Sequence, residues 1–129
     1  NFEDFLITKL ILESMGSVIE FNEDQMDAVT ALSGTGPAYV FFLVELMVEA
    51  GMKMGINIGD ATSMTVKTLK GAVKLLEEYH ETPENLRKKV TSPGGTTEAA
   101  FNKIEELRVK SKFIEGILAA EKRSKELGK

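Results

Sequence analysis

The apolar positions of this chain fall mostly at helical spacing, and the segments between them carry helix punctuation. Phe2, Phe5, Leu6, Leu10 and Ile11 repeat every three to four residues over about Glu3 to Met15, and Gly16 follows where a helix would stop. Val18, Ile19 and Phe21 form a short extended stretch. Alone it would leave both backbone edges unpaired, so it is either a plain linker or one strand of a sheet completed by residues beyond this chain. Asn22, with Gln25 three residues later, reads as a capping box that opens a short helix to Leu32. A long helix is expected from about Pro37 to Met54. Its apolar residues, among them Tyr39, Phe41, Phe42, Leu43, Leu46, Met47 and Met54, go nearly all the way round instead of forming one stripe. A chain of 129 residues has little interior to surround such a helix, so a second copy is expected to cover part of it.

The pattern continues as helices to the end of the chain. Asp60 is read as the cap of the next one, with Met64, Leu69, Val73, Leu76 and Tyr79 on one side and Lys67, Lys70, Lys74 and Glu78 largely on the other. Thr82-Pro83 opens a short helix to about Val90, as a cap followed by proline should. Two more are expected over about Thr97 to Leu107 and Lys112 to Leu127, the last with Lys122, Arg123 and Lys125 suited to its C-terminal dipole. The chain has no internal repeat, and the fold class is all-α.

Composition narrows the partners more than the fold. Apolar residues at 43% and charged residues at 28% describe a folded domain with a core, not a disordered chain. Sixteen basic against twenty acidic side chains give a net charge of -4, so no overall attraction favours nucleic acid or an anionic membrane. Without cysteine there are no disulfides, thiolate zinc sites or cysteine nucleophiles, and one histidine disfavours a Ser-His triad or a multi-histidine metal site. No metal is expected, and a cytoplasmic setting is compatible with this usage. The longest uncharged apolar run, Ala38 to Val44, is far short of the roughly 20 residues that span a bilayer. Glu3 and Asp4 stand where a signal peptide would be basic, and the chain, which begins at Asn1, reads as a fragment or processed product.

The segment best suited to chemistry is Thr91-Ser92-Pro93-Gly94-Gly95-Thr96-Thr97, just ahead of a helix. Two glycines allow close backbone approach, and free amides at the helix start, with the Thr96 and Thr97 hydroxyls, would make a pocket for a carboxylate or phosphate. The same residues also make an ordinary capped tight turn. Ser33-Gly34-Thr35-Gly36-Pro37 carries the same ambiguity, and it is not a dinucleotide fingerprint because Tyr39 stands where the third glycine would be. His80, beside Glu77, Glu78 and Glu81, reads as a solvated residue at a helix end. Arg87-Lys88-Lys89 reads as a solvated face, and the six methionines as core filler.

Taken together, Met26-Asp-Ala-Val-Thr-Ala-Leu-Ser-Gly-Thr-Gly-Pro-Ala-Tyr-Val40, Ala50-Gly-Met-Lys-Met-Gly55 and Val90-Thr-Ser-Pro-Gly-Gly-Thr-Thr97 closely resemble the C-terminal domain of pyrroline-5-carboxylate reductase, with the similarity continuing through Ala120 to Leu127. The resemblance implies a helical dimerisation domain of the 6-phosphogluconate-dehydrogenase C-terminal-like type, assembled as an interlocked homodimer, with a higher oligomer left open. It implies an N-terminal Rossmann domain that holds NADPH or NADH and lies outside these residues, to which residues 1–21 would belong as the end of a linker helix and a stub strand. Residues 22–129 would be the helical dimerisation and substrate-binding domain. The implied reaction reduces the C=N bond of 1-pyrroline-5-carboxylate to give proline, and the 129 residues alone should be inactive, having no pyrophosphate-binding motif. By matching positions, Ser92, Gly94, Gly95, Thr96 and Thr97 would surround this small imino acid, with the Thr97 hydroxyl near the ring nitrogen as the catalytic contact. Thr30, Ser33 and Thr35 match the segment that closes the nicotinamide side. No nucleic acid or membrane is implied. Two positions depart from the family. His80-Glu81-Thr82-Pro83 replaces a common glutamate ahead of the proline-headed helix, which puts the acidic role on Glu81 or nowhere, and Leu107-Arg108-Val109 replaces a Gly-Gly-Phe turn. A non-catalytic helical dimerisation module, or a related reductase of another imine, fits the same residues.

Overall fold

A computed structural model describes residues 2–128; Asn1 and Lys129, the outermost positions of the two expected segments, lie outside the described residues. The chain is helical almost throughout, and among the described residues there is no strand. Helix α1 spans Phe2–Glu13, and residues 18–21 follow it as coil that joins no strand among the described residues, with Glu20 held by Lys9 of α1 at 2.6 Å. Asn22 opens the next segment through the expected reciprocal cap with Gln25. That segment is not one regular helix. A 3-10 turn at Glu23–Gln25 leads into a single α-helical turn, α2 (Met26–Val29), and then into a π-helical turn at Thr30–Gly34.

Helix α3 (Gly36–Lys53) starts one residue before Pro37 and is closed by a glycine. Gly55, with φ of 91°, lets the Ile56 amide reach back to the Gly51 carbonyl at 3.0 Å and the Gly55 amide to Met52 at 3.0 Å. Those two bonds satisfy carbonyls that a helix end leaves open, and only glycine adopts that backbone angle without strain. The chain then turns back into α4 (Ile58–Tyr79), which packs on α3. The helices approach closely because small residues meet: a Cβ on Gly51 would lie 3.1 Å from that of Ala61. The cap of α4 is Asn57, not Asp60. The Asn57 side-chain Oδ1 accepts the Asp60 amide at 3.0 Å while its side-chain Nδ2 donates to the Asp60 carboxylate, so Asp60 is the third residue of the helix and not its cap. Replacing Asn57 by alanine should cost about 1 kcal/mol of stability. Thermal denaturation checks this, and an unchanged Tm would show that the cap contributes nothing.

Thr82 caps α5 (Pro83–Lys89) as expected, accepting the Asn85 amide at 3.2 Å. Helix α6 (Thr96–Glu106) starts at Thr96 with Gly95 as its cap. Helix α7 (Val109–Leu127) starts three residues earlier than expected, because Leu107 and Arg108 make a corner in which Arg108 takes a left-handed conformation, φ 53°. Helix α7 returns across the chain to α2 and the π-helical turn, where the Ser124 hydroxyl donates to the Asp27 carboxylate at 2.6 Å.

Among the described residues almost nothing in a single copy is buried: Ala31, Gly51, Ala61 and Thr65 are, and no large side chain is. Phe41 keeps 65% of its surface exposed and Phe42 48%, so α3 presents apolar side chains to solvent around its girth. Met52, Met54 and Met64 are exposed too, so in one copy they fill no core. The joined helical run also changes the membrane argument. Glu23–Lys53 makes a run of 31 residues, helical except at Thr35, in which an 18-residue window is long and apolar enough by composition to cross a bilayer, as the core helix of a water-soluble protein also can be, whereas the sequence pattern considers only uninterrupted apolar residues.

Candidate functional site

The loop ahead of α6 is a built structure, fastened at both ends. On one side the Thr91 hydroxyl donates to the Arg87 carbonyl at 2.7 Å and its amide to Lys88 at 3.1 Å, tying the loop to α5. The two flanking helices are themselves joined, since the Arg87 guanidinium lies 4.7 Å from the ring centre of Phe101. Arg87 is therefore half-buried on an aromatic face and is not part of a solvated patch. Lys88 and Lys89 do sit at the surface, paired with Glu84 and Glu81. The hydrogen bond from Lys88, and then its charge, hold the Glu84 carboxyl below its usual value; at such exposure the pair adds little stability.

Inside the loop each glycine has its own reason. Gly94 has φ of 71°, a left-handed conformation that a side chain resists. Gly95 is needed for space: a Cβ there would stand 2.5 Å from the Ser92 hydroxyl oxygen and 3.0 Å from the Ser92 carbonyl, to which the Gly95 amide donates at 3.0 Å. The close approach expected of Gly95 is thus made to the loop itself. On the helix side the Glu98 carboxylate reaches back and accepts the Gly94 amide at 2.7 Å. The periodicity did not single out Glu98, although an acidic residue in the first turn of a helix is a recognisable capping signal. What remains is a cluster of donors. Among the described residues no acceptor meets the amides of Thr96, Thr97 or Glu98, and the half-buried Thr97 sits among them. Three convergent amides at the positive end of an 11-residue helix favour an anion such as a carboxylate.

The second candidate segment is the π-helical turn. The Thr35 amide and hydroxyl both donate to the Thr30 carbonyl, at 2.9 and 3.1 Å, so the Thr35 hydroxyl is already engaged. Ser33 and the Thr30 side chain are exposed, without a side-chain partner among the described residues. Ser33 opens on a depression of about 400 Å³ shared with Phe21, Met26, Val29 and Leu32. Thr30, Ser33 and Thr35 are therefore brought together, and so are Ser92 to Thr97. No hydrogen bond joins the two groups within one copy. Glu81 is tied to Lys89 at the far end of α5 and makes no described bond to the glycine loop. His80, exposed and left-handed at φ 48°, ends α4 as a solvated residue.

A larger groove lies elsewhere. About 550 Å³ in volume, it runs between α3 and the α6–α7 corner and is lined by Tyr39, Phe42, Leu43, Leu46, Ile104 and Phe113, among others. Its walls are almost wholly apolar, as expected of a surface that another helix covers.

The chain has clear relatives among known proteins. A pyrroline-5-carboxylate reductase of Synechocystis is 41% identical over 121 residues, covering 94% of this chain and 45% of the relative. One of Kluyveromyces lactis is 41% identical over 126 residues, covering 98% and 44%. The chain spans about half the length of the curated relatives it matches. Among solved structures, the pyrroline carboxylate reductase of Plasmodium falciparum with NADP bound superposes on all of this chain and 52% of its own, with a TM-score of 0.92 at 31% identity. A pyrroline-5-carboxylate reductase of Coxiella burnetii has a TM-score of 0.88 at 37% identity, over 98% of this chain and 47% of its own. The family described as pyrroline-5-carboxylate reductase dimerisation matches residues 23–127, which take in the apolar α3 and the glycine loop alike, and the chain belongs to that family.

Proposed function

We propose that this chain is the dimerisation and substrate-binding part of a pyrroline-5-carboxylate reductase, which reduces 1-pyrroline-5-carboxylate to L-proline with NADPH or NADH. The observation that carries the reading is the trio of free amides at the start of α6, set behind the Gly94–Gly95 turn in a chain of this family. The substrate carboxylate binds those amides, where the helix dipole and unpaired donors replace its lost water. The Thr97 hydroxyl, beside them, donates to the ring nitrogen and so orients the C=N bond. Ser92 and Thr96 close the pocket around the ring.

The nicotinamide cofactor supplies the hydride when bound, and most of its contacts would lie in a Rossmann domain. From this chain, the exposed Ser33 hydroxyl at the mouth of the depression beside the π-helical turn, with the exposed Thr30 side chain on the same turn, fits a polar carboxamide. Thr35 acts on that side through the backbone it holds. An interlocked homodimer covers α3 and the groove beside it.

The test is Thr97→Val in a full-length reductase carrying this domain. Losing one hydroxyl contact to the reacting ring should cost about 1–3 kcal/mol of transition-state stabilisation, a fall of roughly ten- to a hundredfold in kcat/KM. Cofactor affinity should change far less. A correctly folded Thr97→Val enzyme with undiminished kcat/KM would return the loop to a capped tight turn.

A further inference from the structure

The π-helical turn at Thr30–Gly34 inserts one extra residue into the path from α2 to α3. One residue amounts to about 100° of helical rotation. Were the turn to relax to ordinary α-helical register, Ser33 would swing to another face. Such turns are rare, because their wider ring leaves carbonyls poorly served by the helix itself, and they persist where something outside the turn secures them.

Here the outside group is Tyr39. Its hydroxyl donates to the Ala31 carbonyl at 3.0 Å, eight residues back and across the turn. Ala31 is one of the few residues of the chain that is buried, so a carbonyl left unserved there cannot turn to water without cost. The Tyr39 ring is held in turn. It meets Phe113 of α7 edge to face, with centroids 5.9 Å apart and planes at 71°. Helix α7 grips the other side of the same segment through Ser124 and Asp27. The turn is thus pinned from α3 at Ala31 and, through the preceding α2, from α7 at Asp27, and its own lock is the pair of hydrogen bonds from Thr35 to the Thr30 carbonyl.

We infer that Tyr39 is a positioning residue for the cofactor side: its hydroxyl holds the π-helical turn in the register that presents Ser33. The inference rests on the reading of that turn as the nicotinamide-facing segment. Tyr39 itself touches neither substrate nor cofactor in this scheme and acts through the Ala31 backbone.

Tyr39→Phe in the full-length reductase tests it, because the ring and its contact with Phe113 stay while the donor goes. KM for the nicotinamide cofactor should rise about fivefold, the factor a typical net hydrogen bond is worth, while KM for the imino acid moves less than twofold. Hydrogen exchange at the amides of residues 30–36 should speed up with little change in α4. A uniform loss in kcat and both KM values would mean a merely structural role and overturn the inference, and so would unchanged exchange in the turn. Ser33→Ala separates the two levels. If it raises the cofactor KM and Tyr39→Phe does not, the positioning role fails and the cofactor-side reading stands. If neither variant moves that KM, the cofactor-side reading fails and the positioning role goes with it.

Discussion

Replacing Phe42 by aspartate should leave no dimer and little folded protein. In one copy Phe42 is 48% exposed and helps to line the apolar groove between α3 and the α6–α7 corner, the surface that the proposed homodimer covers. A carboxylate driven into that contact would be unpaired and dry, at a cost of several kcal/mol. A single copy has no reserve to absorb such a loss, since its fully buried residues are all small. Sedimentation at low micromolar concentration should find the parent chain dimeric and the variant not, and the parent's unfolding midpoint should rise with protein concentration. A well-folded parent monomer, or a Phe42→Asp dimer with unchanged Tm, would mean that α3 faces something else.

Gly95→Val should inactivate a full-length reductase while leaving its dimer intact. The new side chain would collide first with Ser92, whose hydroxyl oxygen and carbonyl lie 2.5 and 3.0 Å from the Cβ position. The hydroxyl can rotate away; the carbonyl is part of the turn and accepts the Gly95 amide. The loop must therefore open, and the three amides of α6 lose their common direction. A displacement of the order of 1 Å at such a site costs about a hundredfold in rate, so kcat/KM should fall by at least that factor. Kinetics paired with sedimentation checks this. Retained activity would show that the donors of this loop do not hold the substrate. The variant reports on the loop's own geometry rather than on steric exclusion of a ligand, which is why Thr97→Val is the sharper probe of the contact.

The parts of the fold that were legible in the sequence are those with local causes. Thr82-Pro83 and the Asn22–Gln25 pair announce helix starts through bonds that span three residues, and Gly55 ends α3 through a backbone angle that few other residues take. The glycine loop was legible for the same reason, because its chemistry lies in seven consecutive residues. The errors arose where sequence carries no unique local mark. Asn57 and Asp60 are both good caps three residues apart, and only the geometry decides which comes first. Arg108 takes a left-handed conformation that nothing in its side chain requires, so the start of α7 at Val109 was missed. The π-helical turn differs from an α-helix by one residue in five, too little for an apolar repeat to reveal. The bonds that hold that turn join residues brought together by the fold: Tyr39 to Ala31 across it, and Ser124 to Asp27 over 97 residues of chain.

The meeting of Gly51 with Ala61 near the start of α4 has a mechanical consequence. From Ala61 the helix runs on to Tyr79, roughly 27 Å at 1.5 Å per residue, before the chain enters α5 and the glycine loop. A tilt of about 10° at the crossing would carry the far end through roughly 5 Å over that length. A glycine meeting an alanine thus forms the fulcrum of a long lever, and the thickness of a single methyl group at one end sets where the other end delivers the loop.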